Sequence, residues 1–159
     1  ATTLPDASVD LVTAAQAFHW FDAAAVRREC RRILRPGGLV ALIWNERDTA
    51  SSAFLRDYDA LLRRGAADYA RVHVMQTDAA AVADFFAPAG CTCFSAANVQ
   101  HFDLPGLLGR TASSSYAPAA GAPEHAAFVT DLTALFHAHA REGRVAFRYQ
   151  TRVYLGDLR

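Results

Sequence analysis

The sequence predicts an α/β fold in which parallel strands form a sheet covered by helices. Val9–Ala15 and Leu39–Trp44 are mostly apolar runs, and runs of this length are typical of strands buried on both faces of a parallel sheet. The residues between them have the spacing of an amphipathic helix. Strand, helix and strand form a βαβ crossover, which requires the two strands to be parallel. The chain of 159 residues, 52% of them hydrophobic, is long enough for one core.

The first helix is predicted to begin after Asp22, whose carboxylate is a good N-cap. Its apolar positions recur at i, i+4, i+7 and i+8 and therefore share one face; they are Val26, Cys30, Ile33 and Leu34. Arginines cover the rest of the helix, which indicates a solvated face rather than a nucleic-acid contact. Pro36-Gly37-Gly38 is predicted to stop this helix before the second strand.

The rest of the chain predicts further helices and two later strands. The predicted helices are Ser52–Tyr69, a shorter one from Asp78 to Ala89-Gly90, and Pro123–Glu142 with Gly143 at its C′ position; the predicted strands are Cys91–Asp103 and Val145–Leu155. Residues 105–115 predict a loop with one helical turn at most. The last strand alternates strictly between apolar and polar residues, which favours an antiparallel strand near a sheet edge. The sheet is therefore predicted to be mixed.

Composition excludes several classes of function. All sixteen basic residues are arginine, so chemistry that needs a lysine, such as a Schiff base, is excluded. The formal net charge of zero argues against a nucleic-acid partner, and no apolar run reaches the ~20 residues of a membrane span. Three cysteines without a signal peptide predict a reduced, cytoplasmic protein. Cys91 and Cys93 are too few for a zinc site unless histidines join them, so we expect no metal.

Ligands of open α/β sheets bind beyond the carboxyl ends of the parallel strands. That rule selects residues 16–21 after the first strand and 45–48 after the second, which we expect on one rim facing one pocket. The first segment contains three aromatic residues, a glutamine and His19. Aromatic side chains provide flat walls for a planar ring or a sulfonium cation, and histidine can act as a base near neutral pH. A hydrophobic loop that caps the sheet, with His19 merely hydrogen-bonded, explains the same spacing equally well.

Other candidates for chemistry carry less weight. Ser114 and Ser115 lack the Gly-x-Ser-x-Gly context of a nucleophilic serine. The stretch Ser113–Tyr116, preceded by Arg110, is consistent with a mobile lid and equally with a surface loop. The sequence leaves that choice open.

Four segments in order resemble one family. They read Leu-Pro-Asp-Ala-Ser-Val-Asp-Leu-Val, Ala-Gln-Ala-Phe-His-Trp-Phe-Asp, Arg-Ile-Leu-Arg-Pro-Gly-Gly and Ala-Leu-Ile-Trp-Asn-Glu-Arg-Asp, between Leu4 and Asp48. This series resembles the class I S-adenosylmethionine-dependent methyltransferases, in particular a small-molecule branch with a Phe-His-Trp-Phe element after its fourth strand. Ser113–Tyr116 and the closing strand are more weakly similar to the C-terminus of that branch.

The resemblance implies a Rossmann-like methyltransferase sheet with S-adenosylmethionine as methyl donor. Val9–Ala15 and Leu39–Trp44 would be its fourth and fifth strands, and the two later strands would be its antiparallel pair. The residues expected to lie against the cofactor are Ala14, Ala15, Gln16, Ala17 and Phe18. His19 would be the catalytic base or polar anchor. The residues expected to contact a small-molecule acceptor are Trp20, Trp44, Arg47, Arg110 and Tyr116, with the arginines suited to a carboxylate.

One departure from the family bears on domain organisation. The family's Gly-rich loop after its first strand and the acidic residue that holds the ribose are not found in this sequence, whose nine glycines never form Gly-x-Gly. We therefore expect residues 1–159 to be the C-terminal part of a single methyltransferase domain, with the N-terminal strands and Gly-rich loop preceding it. The alternatives are a non-catalytic, methyltransferase-like interaction module with an exposed sheet edge, and a different α/β enzyme that shares the sheet. The sequence does not define the oligomeric state.

Overall fold

The computed structural model of the chain describes residues 1–66, 69 and 79–158. Four strands form a mixed sheet in the order β1-β2-β4-β3. The strands are β1 (Val9–Ala15), β2 (Leu34–Arg47), β3 (Thr92–Phe102) and β4 (Val145–Gly156). The helices are α1 (Ala23–Ile33), α2 (Ala53–Gly65), α3 (Ala79–Phe86), α4 (Leu104–Ala112) and α5 (His125–His139), with a 3₁₀ turn at Phe18–Trp20. The predicted α/β fold with a Rossmann-like sheet is confirmed.

The predicted βαβ crossover is present in the structure. β1 and β2 are parallel, and their register ends with Ala15 opposite Ile43. The Asp22 carboxylate accepts a hydrogen bond of 3.0 Å from the Ala25 amide and so caps α1 as expected. The prediction that β1 is buried on both faces is wrong: β1 stands at one end of the strand order, and 51% of Leu11 is exposed.

The end of α1 lies earlier than the sequence predicts. The helix ends at Ile33, because Leu34 already has extended backbone (ψ 136°) and pairs with Val9 in the sheet. Pro36-Gly37-Gly38 instead forms an irregularity inside β2, between the pairs made by Leu34 and Leu39. Gly37 has φ 85° there, a backbone region that glycine adopts without steric cost. The sequence therefore predicts a real turn at Pro36-Gly37-Gly38, but this turn interrupts β2 and does not end α1.

Gly38 and Gly109 provide a matched test of this irregularity. A Cβ atom at Gly38 would lie 3.1 Å from the Asp10 carbonyl oxygen and 3.0 Å from that of Arg35, so we expect Gly38→Ala to destabilise the chain by about 1–3 kcal/mol. A Cβ at Gly109, inside α4, would meet no atom within 4 Å. Gly109→Ala should therefore stabilise by about 0.5–1 kcal/mol. Urea unfolding of the two variants measures both values, and equal effects would contradict the close approach at Gly38.

The predicted loop over residues 105–115 is wrong, because α4 is a helix of nine residues. Its glycines favoured a loop, but three local features outweigh them. The Asp103 carboxylate accepts from the Gly106 amide at 2.9 Å, and a proline lies in the first turn. Leu107 and Thr111, four positions apart, are both almost fully buried, so one face of the helix packs into the core.

The remaining elements match their predictions except at their ends. β3 and β4 lie where the sequence places them, and α2 begins after its N-cap Ser52. α5 ends at His139, so Gly143 is not its C′ residue; with Glu142 it forms a left-handed turn whose flanking residues Arg141 and Arg144 bond to each other at 2.9 and 3.0 Å. The predicted helix start at Asp78 lies outside the described residues.

The described residues divide into two compact units. The first unit comprises residues 1–46, 79–96 and 150–158, and the second comprises 47–66, 69 and 97–149. The core of the first unit contains Phe18, Val40, Leu42, Trp44, Phe85 and Phe86. The core of the second contains Leu55, Tyr58, Leu62, Leu107, Leu132 and Phe147. None of the helices in the described ranges is both long and apolar enough to cross a membrane.

Candidate functional site

The chain leaves the carboxyl end of β1 through an unusual backbone conformation at Gln16. This residue has φ 51°, a left-handed conformation that is uncommon for residues other than glycine and that recurs at functional sites. Two hydrogen bonds hold it in place: its amide donates to the Ile43 carbonyl at 2.9 Å, and its side-chain nitrogen donates to the Asn45 carbonyl at 3.2 Å. Gln16 thus ties the loop after β1 to the end of β2.

Phe18 anchors the 3₁₀ turn that follows. Its side chain is buried and makes edge-to-face contacts with Trp44 and Phe85, with ring centroids 6.1 and 4.9 Å apart. Phe18 therefore fills the end of the core, as expected for a hydrophobic loop that caps the sheet. Trp20 differs, because 59% of its surface is exposed. The anchored turn holds the histidine between these two aromatic residues in the chain.

His19 is half-buried at this point and is only partly satisfied. Its Nδ1 atom is buried and has no hydrogen-bond partner among the described residues. The ring lies beside Trp20, with centroids 4.8 Å apart. Burial lowers the pKa of His19 below its usual value of 6.5, so the neutral imidazole predominates at neutral pH. A neutral imidazole has one unprotonated ring nitrogen, which can accept a proton from a ligand.

The end of β2 adds a set of polar groups to the first unit. The Asn45 side-chain oxygen accepts a hydrogen bond of 2.6 Å from the Thr151 hydroxyl, and the Glu46 carboxylate pairs with Arg152 at 2.8 Å. Trp44, predicted as a substrate wall, is 2% exposed and packs edge-to-face on Tyr154 at 5.8 Å. Its Nε1, which carries the only hydrogen-bond donor of the side chain, is buried and has no partner among the described residues.

The segment predicted to contact the cofactor lies along the same edge. Ala14 and Ala15 end β1, and Gln16 and Ala17 connect it to Phe18. Ala14 and Ala17 are half-buried, whereas Ala15 and Gln16 are exposed. This part of the edge therefore presents small side chains and backbone rather than bulky groups.

Arg47 begins the second unit, where it lies over tyrosine rings. Its guanidinium carbon is 5.0 Å from the ring centre of Tyr58 and 5.8 Å from that of Tyr69. Tyr58 is fully buried, and its hydroxyl lies 3.0 Å from that of Thr111. Burial raises the pKa of Tyr58, while the charges of Arg110 and Arg47 act in the opposite direction. Both predicted arginines therefore act on the same buried phenol.

Arg110 lies among aromatic residues in the same unit. Its Nε and Nη2 atoms donate to the Tyr149 hydroxyl at 3.1 and 2.9 Å, and its guanidinium carbon is 4.7 Å from the ring centre of Phe147. Burial acts to lower the pKa of Arg110, but the neighbouring tyrosines Tyr58, Tyr149 and Tyr116 raise it. Arg110 is therefore firmly cationic.

Tyr116, also predicted from the sequence, joins this group. Its ring packs on Tyr69 with centroids 5.0 Å apart. Burial opposes ionisation of the phenol, but the hydrogen bond with Ser114 and the charges of Arg47 and Arg110 lower the pKa of Tyr116 overall. We call the six residues the arginine–tyrosine cluster: Arg47, Tyr58, Tyr69, Arg110, Tyr116 and Tyr149. That residues 113–116 form a lid stays a prediction.

Sequence reasoning found three members of this cluster and missed the other three. Tyr58 and Tyr69 fall in the predicted helix Ser52–Tyr69 and Tyr149 in the predicted strand Val145–Leu155, with no functional role expected of them. The missed signal is that each is a tyrosine at an otherwise apolar position, because a buried phenol needs a hydrogen-bond partner or a charge beside it. Across the described part of the chain, no three histidine, cysteine or acidic residues lie together as metal ligands.

Comparisons with known proteins bear on the first part of the chain. A methyltransferase domain family matches residues 1–42. An uncharacterised methyltransferase of Mycobacterium tuberculosis is 56% identical over 45 residues, a segment covering 28% of this chain and 18% of that protein. An uncharacterised methyltransferase of Schizosaccharomyces pombe is 50% identical over 50 residues, 31% of this chain and 20% of that protein. The chain thus matches about a fifth of the length of these curated relatives.

A solved structure extends the similarity to nearly the whole chain. A protein from Anaeromyxobacter dehalogenans, provisionally assigned as a type II methyltransferase, superposes with a TM-score of 0.62 and 26% sequence identity, over 98% of this chain and 67% of that one. The fold, with His19 and Gln16 at the end of its first parallel strand, is that of a Rossmann-like methyltransferase. By this fold, by the family match over residues 1–42 and by these relatives, the chain is similar to class I methyltransferases.

Proposed function

We propose that the full-length protein transfers a methyl group from S-adenosylmethionine to a small-molecule acceptor. The observation that carries this proposal is the loop after β1, where a strained Gln16 and a buried Phe18 hold a half-buried His19 whose Nδ1 has no hydrogen-bond partner among the described residues. This loop lies within the residues that the methyltransferase family matches. We take S-adenosylmethionine as the donor because class I methyltransferases use it. The small-molecule acceptor follows from the resemblance of the sequence to the small-molecule branch of that family.

The proposed cofactor contacts are Ala14, Ala15, Gln16, Ala17 and Phe18. The small side chains of this segment leave space beside the backbone, which favours close approach of a ligand, while Phe18 fixes the loop to the core. When bound, S-adenosylmethionine supplies an activated methyl group. The protein therefore needs chiefly to align donor and acceptor and to exclude water.

His19 is the proposed catalytic residue. An oxygen or nitrogen acceptor that must lose a proton before or during methylation needs a base within hydrogen-bond reach. Because the imidazole is neutral at neutral pH, His19 can take that proton on a ring nitrogen. For an acceptor that carries no such proton, the same atom serves as a hydrogen-bonding anchor.

The proposed acceptor contacts are the remaining residues predicted from the sequence. Trp20 offers a largely exposed indole face to an apolar group, whereas Trp44 is buried and its Nε1 has no hydrogen-bond partner among the described residues. Arg47, Arg110 and Tyr116 belong to the arginine–tyrosine cluster of the second unit. Guanidinium groups suit an acid group on the acceptor.

The proposal predicts that the full-length protein releases S-adenosylhomocysteine when S-adenosylmethionine and a suitable small molecule are both present. The experiment incubates the protein with labelled S-adenosylmethionine and a set of small hydroxy acids, keto acids, phenols and amines. Chromatography then follows the label and the released S-adenosylhomocysteine. Label in a small molecule supports the proposal. Binding of S-adenosylmethionine without transfer to any acceptor would favour the non-catalytic interaction module instead.

A further inference from the structure

Arg47 has hydrogen-bond donors that the described residues do not satisfy. Its Nε and Nη1 atoms are buried and make no hydrogen bond; together they carry three of the five N–H groups of a guanidinium. Stacking over Tyr58 and Tyr69 uses only the face of the planar group, because the N–H bonds point outward in its plane. Buried donors without acceptors are costly, so this arrangement indicates a missing acceptor.

The charge of the cluster is also unbalanced within the described residues. Neither Arg47 nor Arg110 forms an ion pair there. Asp59, the carboxylate that accepts a hydrogen bond of 2.5 Å from the Tyr69 hydroxyl, pairs with Arg63 at 2.6 Å. Both guanidinium ions act on Tyr58 and Tyr116, and an anion bound at the cluster would balance their charge. A water molecule would satisfy donors but would leave the charge unbalanced.

The hydrogen bonds of Arg110 indicate what kind of anion fits. One edge of its guanidinium, formed by Nε and Nη2, already donates to the Tyr149 hydroxyl, and the guanidinium also hydrogen-bonds to Tyr116. The two arginines therefore offer separate points of contact rather than two complete forks aimed at one group. A phosphate carries its charge on a single centre, whereas a dicarboxylate places one charge at each of two points. The second is favoured because the two guanidinium groups lie in separate surroundings, Arg47 over Tyr58 and Tyr69 and Arg110 at Tyr149 and Phe147.

We infer that the arginine–tyrosine cluster binds a small dicarboxylate, with one carboxylate at the open N–H groups of Arg47 and the other at Arg110 beside the Tyr116 hydroxyl. The inference rests on the proposed function only where it makes this dicarboxylate the methyl acceptor. Binding itself follows from the residues of the second unit. The exposed arginines around the turn at 141–144 do not need a bound anion, because water can solvate their charges.

Binding of malonate, succinate and glutarate to the full-length protein tests the inference. Isothermal titration should give saturable binding of at least one diacid and none of succinamide, its neutral analogue. Arg47→Gln and Arg110→Gln should each weaken the binding about tenfold or more, since each removes charge-assisted hydrogen bonds. Arg148→Gln removes the same charge from an exposed position of the second unit and should leave the affinity unchanged. Tyr116→Phe, which removes one hydroxyl, serves if an arginine variant fails to fold; it should weaken the binding measurably.

Each result bears on either the inference or the proposed function. Equal binding of succinamide and succinate, or equal losses for Arg47→Gln and Arg148→Gln, would overturn the inference. Tighter binding of inorganic phosphate than of any diacid would overturn the assignment to dicarboxylates. Methyl transfer to a neutral acceptor, unchanged in Arg47→Gln, would overturn the role of the dicarboxylate as methyl acceptor and leave the proposed function standing. Diacid binding without any methyl transfer would support the site and count against the proposed function.

Discussion

Replacing His19 with alanine is expected to lower kcat of the methyl transfer proposed for the full-length protein about 100-fold or more, because a positioned general base typically contributes that much. The loss should fall on kcat rather than on the affinity for S-adenosylmethionine, since the proposed role of His19 is toward the acceptor. Steady-state kinetics with the acceptor found by the labelling assay measures both. His137→Ala is the matched control, because His137 is exposed on α5. Turnover unchanged in His19→Ala would remove His19 from the mechanism.

The pH profile provides a second readout of the same residue. Burial lowers the pKa of His19 from 6.5, so the neutral, base-competent form persists below the pH at which an ordinary histidine is half protonated. The acid limb of kcat should therefore lie below pH 6.5 and disappear in His19→Ala. The same shift means that protonation opposes folding, so its contribution to stability is present above pH 6.5 and is lost as the pH falls through the folded-state value. An acid limb above pH 6.5 would contradict this.

Replacing Phe147 with alanine is expected to destabilise the second unit by about 3–5 kcal/mol, the usual cost of removing a fully buried aromatic side chain. Phe147 is 0% exposed, and its ring lies edge-to-face with Phe54, Tyr58 and Phe102 at 5.0–5.4 Å. It also supports the Arg110 guanidinium. Chemical denaturation of the variant measures the loss.

Phe94 gives the matched control for Phe147. It lies on β3 with 53% of its surface exposed, so Phe94→Ala should change the free energy of unfolding by less than about 0.5 kcal/mol. If both variants lose the same stability, the packing described for the second unit is wrong. If Phe147→Ala also abolishes diacid binding, the support that Phe147 gives to Arg110 is confirmed.

The sequence predicted those parts of the fold that local pattern determines. The apolar runs at Val9–Ala15 and Leu39–Trp44 defined the parallel pair, and Asp22 defined the start of α1, because capping and hydrophobic periodicity act over a few residues. It failed at α4 and at the end of α1. There the outcome depends on which face packs against distant residues, as with Leu107 and Thr111, or on pairing with another strand, as with Leu34 and Val9.

The candidate site was likewise predictable only where local pattern determines it. His19 stood out because a histidine between aromatic residues at the end of a strand is a local pattern. The role of Tyr58, Tyr69 and Tyr149 around two arginines depends on long-range packing, which brings positions far apart in the chain into one cluster. The open N–H groups of Arg47 are a property of the folded structure alone, because no spacing in the sequence shows which donors lack an acceptor.

Titration of S-adenosylmethionine into the full-length protein tests the central claim most directly. Isothermal calorimetry should show saturable binding with a stoichiometry of one per chain. Absence of S-adenosylmethionine binding by the full-length protein would contradict the proposed methyl transfer.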